Sequence, residues 1–250
     1  MPLRRLVLVA SLVVLAIPAS ASAGQHWHPH IAAARRYARR RAGEVAFAVI
    51  DQRGNFRGYH VRETAPMAST FKVMLLAALL RKRNHHPLSR RDRQLLAPMI
   101  RRSDNVAATT VRDMVGPRRI RRLARVAGMR DFNYDPIWGL SRSSPRDEVR
   151  FMYHLQRYIP GRHRAFARWL LSHVIRSQRW GIGRVVPPGW KLFLKGGWGS
   201  GTGLVDHQEA LLKHGRRRIG LAIFTQLDPD HAYGKQTERG VAARLLGGLR

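Results

Sequence analysis

Ser69 and Lys72 stand three residues apart in Pro66-Met67-Ala68-Ser69-Thr70-Phe71-Lys72-Val73-Met74-Leu75-Leu76, at the head of a run that stays apolar to Leu80. The run is helix-length, lacks Gly and Pro after position 66, and is hydrophobic on every side, the pattern of a buried helix. Residues i and i+3 share a helix face, so the amine of Lys72 is expected to reach the hydroxyl of Ser69. Burial penalises the ammonium form and pushes a lysine toward the neutral amine. Only six of the 46 basic residues are lysine, yet position 72 has one. Arginine does not lose its proton in a protein, whereas a buried lysine does. The chemistry implied is a serine nucleophile activated by a lysine base. The plainer alternative is Ser/Thr capping of a helix that happens to contain a lysine.

Two further clusters are candidates for the same site. Ser103-Asp104-Asn105 interrupts a helical region. Ser103 can pass a proton to a leaving group, and Asn105 can hold a neighbouring lysine or a substrate amide. The alternative for this tripeptide is a helix N-cap. Lys195-Gly196-Gly197-Trp198 ends a β-prone run and leads into the glycine-rich stretch 199–203. Its glycines let a substrate backbone lie against the strand, and Lys195 offers a positive charge to a substrate carboxylate. A flexible hairpin loop is the alternative. It is not a phosphate loop, because the strand-loop-helix context is missing.

Around these residues the chain reads as α+β. Ile31 to Arg41 is predicted helical, Glu44 to Ile50 and Phe56 to Val61 form a hairpin, and 66 to about 180 is mostly helical. Ser89 and Ser144-Pro145 open helices within that region, and Gly116-Pro117 ends one. Strands follow at Lys191 to Lys195, Leu204 to Leu212 and Arg218 to Thr225, then a helix from Gln236 to Leu246. The expected architecture is one antiparallel sheet with terminal helices, built from residues 24–65 and 190–250, and a helical lobe inserted at 66–189.

Residues 1–23 read as a secretory signal peptide: Arg4 and Arg5, a short apolar core from Leu6 to Ile17, Pro18, and a small-residue cleavage site at Ala21-Ser22-Ala23. Secretion, extracellular or wall-associated, is therefore expected, with no span left after cleavage near Ala23. The chain has no cysteine, which excludes disulfides and thiolate metal sites. Its formal charge is +31, or +29 without Arg4 and Arg5. Such a field favours anionic surfaces, cell-wall polymers among them, or is simply a solvated arginine-rich surface. His26, His28 and His30 near the new terminus read as solvated rather than metal-binding. A monomer is expected, with no specific nucleic-acid partner and no metal or organic cofactor.

Together, Ser69-x-x-Lys72, Ser103-Asp104-Asn105 and Lys195-Gly196-Gly197 resemble, in this order, the S-x-x-K, S-x-N and K-T/S-G motifs of the penicillin-recognising serine hydrolases. The segment Pro-Met-Ala-Ser-Thr-Phe-Lys-Val looks especially like class A β-lactamases. The resemblance implies a β-lactamase/transpeptidase-like fold. It implies acylation of Ser69, with Lys72 as base or proton relay and Ser103 protonating the leaving nitrogen. It also implies that Lys195 binds the substrate carboxylate and that the backbone N–H groups of Ser69 and Trp198 form the oxyanion hole. The substrate would be a small β-lactam or a peptidoglycan-derived amide. Gly196 departs from the family's Thr or Ser, with Ser200 or Thr202 as substitutes. No glutamate lies between Asn105 and Pro145, where the family carries the one that activates the deacylating water. Glu148 falls inside the following helix, and Asp131 and Asp135 are the acids at plausible positions, Asp135 being the candidate. The short interval from Ser69 to Ser103 implies a trimmed helical lobe and an open cleft. The implied enzyme is a class A β-lactamase-type hydrolase. A D,D-peptidase-like or esterase-type wall hydrolase, or a non-catalytic binder of wall polymers, stands as the alternative.

Overall fold

The structure, a computed structural model, describes residues 27–199 and 204–250. The signal-peptide segment, His26, Ser200 and Thr202 lie outside the described residues. The elements in chain order begin with α1 (Ile31–Ala38), β1 (Glu44–Ile50), β2 (Phe56–Tyr59) and β3 (Ala65–Pro66). A 3-10 turn (Ala68–Thr70) leads into α2 (Phe71–Lys82), followed by α3 (Arg90–Arg101), α4 (Asn105–Val115) and α5 (Pro117–Val126). Then come β4 (Arg142–Ser143), α6 (Pro145–Tyr158) and α7 (Arg164–Ser172). The chain closes with β5 (Lys191–Trp198), β6 (Val205–His214), β7 (Arg217–Gln226) and α8 (His231–Leu245).

The five long strands form one antiparallel sheet in the order β2-β1-β7-β6-β5. This is the expected α+β arrangement, with the early hairpin and the late strands in a single sheet. Both faces of the sheet are covered, which is why β1 reads as a continuous apolar run rather than an alternating one. Val45, Phe47 and Val49 of β1 pack with Ala34, Val241 and Leu245 of α1 and α8. Ala46, Ala48 and Ile50 face the other way, into the core shared with α2 and α6. Gly220 on β7 lets α6 approach closely, since a Cβ there would lie 3.1 Å from Val149 and 3.2 Å from Tyr153.

Helix α2 is the axis of the molecule. Each residue from Phe71 to Leu80 is buried. Nine are apolar and the tenth is Lys72, so the helix is held by burial on all sides, worth roughly 1.5–3 kcal/mol for each large side chain. Three details differ from the sequence reading. Ser69 sits on the 3-10 turn ahead of α2 and not on the helix itself. Gly116-Pro117 does end α4, but it also starts α5, with Pro117 in the first turn, where a missing N–H costs nothing. The third-motif strand also runs on through Gly196 and Gly197 to Trp198.

Helix α3 begins with a capping box. The Ser89 hydroxyl accepts from the Asp92 N–H, and the Asp92 carboxylate accepts from the Ser89 N–H, both at 3.0 Å. Buried Asp92 also takes two bonds from Arg83. Ser89→Ala is expected to lower stability by about 1 kcal/mol. Thermal unfolding should show a fall of about 2–4 °C.

Candidate active site

Three elements converge on one amine. The 3-10 turn has about three residues per turn, so Ser69 and Lys72 line up along one side. The Lys72 Nζ lies 2.7 Å from Ser69 Oγ. From the loop between α3 and α4, the Ser103 carbonyl oxygen is 2.6 Å away and its Oγ 3.0 Å. The Asn105 Oδ1, at the start of α4, is 2.7 Å away. From β5, Lys195 Nζ donates to the same Ser103 Oγ at 3.0 Å and to the Gly196 carbonyl at 2.6 Å. All three predicted motifs therefore meet, through the side chains Ser69, Lys72, Ser103, Asn105 and Lys195.

Backbone conformation sets this up. Ser103 has a φ of +60°, which turns both its carbonyl and its hydroxyl toward Lys72. Asp104 caps α4 by accepting from the Ala107 N–H at 2.8 Å, which fixes the tripeptide at the helix entry. The cap alternative is thus realised by Asp104, while Ser103 and Asn105 of the same tripeptide reach Lys72. Ala68 has a φ of +46°, a strained value for a residue with a Cβ, and aims the turn that presents Ser69. Gly197 is required where it stands. A Cβ there would lie 2.8 Å from the Met67 carbonyl oxygen and 2.8 Å from the Ser69 nitrogen. The absence of a side chain lets β5 run directly against the nucleophile's turn, and β5 is an edge strand of the sheet. Trp198 closes that strand, its ring 6.3 Å from Trp180 and 5.9 Å from His231.

The electrostatics follow from burial. Lys72 is fully buried, and its pKa falls from the usual lysine value to about 7, chiefly because the ammonium loses its water; the charge of Asp104 opposes the shift. Lys195 is also fully buried and pushed well below the ordinary value, first by burial, then by the charge of Lys72, with Glu209 opposing. Dehydration is the cause the sequence analysis gave for Lys72, and it is the largest one here. Hydrogen-bond capacity points the same way. A neutral amine donates two N–H bonds, which the Ser103 carbonyl and Asn105 Oδ1 accept, and its lone pair is left facing the serine hydroxyls.

Asp135, the candidate deacylation acid, is not brought to Lys72. Its Oδ1 accepts from the Ile137 N–H at 2.7 Å in a local turn, and its N–H donates to Ser141 Oγ. Asp131 binds the Ser144 hydroxyl and pairs with Arg62 and Arg146. The residue at Lys72 from this loop is Trp138, whose ring centroid is 4.9 Å from the amine and stacks on Phe71 at 6.3 Å. Its Nε1 donates to Thr109. The loop is pinned to the nucleophile by Met67 N–H donating to the Ser141 carbonyl at 2.7 Å and by β3 pairing with β4. The sequence reading missed Trp138. A large aromatic in a loop of turn-forming residues was its one visible signal. Among the described residues no group of three or more His, Asp or Glu is arranged to hold a metal ion.

The family model for the Beta-lactamase enzyme family matches residues 91–247, more than half the chain. The chain belongs to this family of serine hydrolases. Solved structures agree on the fold. A β-lactamase from Sphaerobacter thermophilus DSM 20745 superposes with a TM-score of 0.77 at 21% identity, covering 87% of this chain and 95% of that one. A class A β-lactamase from Mycobacterium abscessus gives 0.74 at 21% identity, with 87% and 98% covered. An ancestral class A β-lactamase gives 0.75 at 18% identity, with 87% and 98% covered. A search of curated protein sequences found no match. Ser69 and Lys72 precede the family-matched stretch, so their pairing rests on the geometry above.

If Lys72 is the base, acylation of Ser69 should be fast above about pH 7 and fall roughly tenfold per unit below it, as protonation fills the lone pair. Rates of adduct formation from pH 5 to 9 measure this. Lys72→Arg keeps a cation but no releasable proton, and should cut acylation by about 10²–10⁴-fold with the circular dichroism spectrum unchanged.

Proposed function

We propose that this chain is a secreted active-site serine hydrolase, acylated at Ser69 by β-lactam or related amide substrates, in which acylation outruns deacylation. The observation that carries the proposal is the unbroken chain Ser69–Lys72–Ser103–Lys195, each link 3.0 Å or shorter. In this reading the Ser69 hydroxyl gives its proton to the Lys72 amine as the Oγ–carbon bond forms. The carbonyl oxygen collects negative charge and is met by the backbone N–H groups of Ser69 and Trp198, donors typically worth a few kcal/mol each. The carbon–nitrogen bond then breaks. The leaving nitrogen takes the Ser103 proton, which the Lys72 ammonium replaces, and Lys72 returns to the neutral amine. Asn105 holds Lys72 in place, and Lys195 receives the substrate carboxylate beside Gly197. The cleft would lie between the sheet portion (24–65 and 190–250) and the helical portion (66–189).

Release of the acyl group needs a water activated by a base within hydrogen-bond reach. Among the described residues no carboxylate contacts Ser69 or Lys72, and the Trp138 ring covers the amine. Slow deacylation follows. Export is supported by the leader-like residues 1–23, and no described helix is long and apolar enough to cross a membrane. The D,D-peptidase-like alternative is not favoured by the solved structures compared above, each of them a β-lactamase.

A chromogenic cephalosporin added to the mature protein should give a colour burst close to one equivalent, then a slow steady rate. Mass spectrometry should show a lasting adduct on Ser69. Rapid turnover with no adduct would contradict slow release, and no burst and no adduct would contradict the activity itself.

A further inference from the structure

Behind Lys195, away from the nucleophile, two carboxylic acids are sealed inside the protein. Glu209 on β6 is directly opposite Lys195 in the antiparallel pair, so both side chains lie on the same face of the sheet. Glu148, on the first turn of α6, meets Glu209 from across that face. Lys195, Glu148 and Glu209 all have zero exposure. Among the described residues no backbone group or cation hydrogen-bonds the four carboxyl oxygens; the neutral group beside Glu148 is the Ser143 hydroxyl, which has no other partner. The chain carries only 15 acids against 46 basic residues, so two of them facing each other in the core is not a consequence of composition.

A dry interior penalises net charge, and two bare carboxylates side by side are costlier still. One shared proton removes both problems, since the protonated carboxyl donates to its neighbour. That leaves one negative charge on the pair, across the strand from Lys195. The other charged groups facing it are Lys72, beyond Lys195 on α2, and Asp147, next along α6; β7 presents only Ala222 opposite Glu209.

Resting on the serine-hydrolase reading above, we propose that the Glu148–Glu209 pair shares one proton and that its remaining charge, seated on Glu209, holds Lys195 as an ammonium that binds an anionic substrate group while Lys72 stays neutral. The division of labour is visible in the bonds. An ammonium has three N–H groups, and Lys195 spends two of them on Ser103 Oγ and the Gly196 carbonyl. In the proposal the third goes to a substrate carboxylate. Because Gly196 has no hydroxyl to add, the ammonium carries more of that recognition here. Both glutamates are positioning residues: neither touches the substrate. Burial pushes Lys195 toward the neutral amine, and Glu209, across the strand, is the group that opposes it.

The test is a titration of side-chain nitrogens in protein labelled with ¹⁵N-lysine, which has six lysines to assign. In the wild type, Lys195 should lose its proton at a higher pH than Lys72. In Glu209→Gln its midpoint should fall by about 1–3 units, the size of one nearby opposite charge. In Glu148→Gln, where Glu209 keeps the charge alone, it should not fall. An unmoved midpoint in Glu209→Gln, or Lys195 titrating below Lys72 in the wild type, overturns the proposal; the second result needs no variant to fold. Kinetics provide an independent arm. At pH 8, Glu209→Gln should slow acylation by a carboxylate-bearing cephalosporin about tenfold and leave its neutral methyl ester unaffected. Equal losses on both substrates would mean a merely structural role and overturn it. If the wild type is acylated by neither substrate, the hydrolase reading fails while the nitrogen titration still decides the proton-sharing claim.

Discussion

The structure depends on keeping water away from one lysine. Lys72 sits in a helix whose other residues from Phe71 to Leu80 are apolar and buried, and this dehydration, against the opposing charge of Asp104, brings its pKa to about 7. An amine that is neutral at working pH is a base; the same amine in water would be an inert cation. Much of the fold serves that dehydration. The sheet is buried on both faces, α6 presses on it through Gly220, and the loop carrying Trp138 lies over the amine. The fold must still satisfy the hydrogen bonds of what it buries, and the Ser103 carbonyl and Asn105 do so.

A second constraint acts on buried carboxylates, several of which are met by cations. Asp92 takes a bidentate pair from Arg83, and Asp131 bridges Arg62, Arg146 and the Ser144 hydroxyl. Near the two buried lysines the acids Glu209 and Glu148 lie behind Lys195, and one hydroxyl, Ser103, touches both amines.

The meeting of Ser69, Lys72, Ser103 and Asn105 was legible in the sequence because their information is local. A three-residue spacing on an apolar run fixes Ser69 beside Lys72, and a hydroxyl and an amide two apart at a helix entry fix Ser103 and Asn105. The single antiparallel sheet was also legible, from apolar runs separated by turn residues. What was not legible depends on contacts between distant segments. Nothing near position 209 says that it faces Lys195, because register between β5 and β6 is a property of the folded sheet. Glu148 looked out of place on its helix until its partner across the core was known. Trp138 and Asp135 occupy one irregular loop, and which of them turns inward is decided by Phe71, Thr109 and Ser141. Gly116-Pro117 was read as a stop alone, since the same two residues punctuate helix ends and helix starts.

Neutron diffraction from deuterium-exchanged crystals held one to two units above pD 7 would locate the protons directly. The account requires two deuterons on Lys72 Nζ, directed at the Ser103 carbonyl and Asn105 Oδ1, with the Ser69 hydroxyl deuteron pointing at the nitrogen. Three deuterons on that nitrogen would show a lysine that remains charged despite its burial and would contradict the base assigned to it.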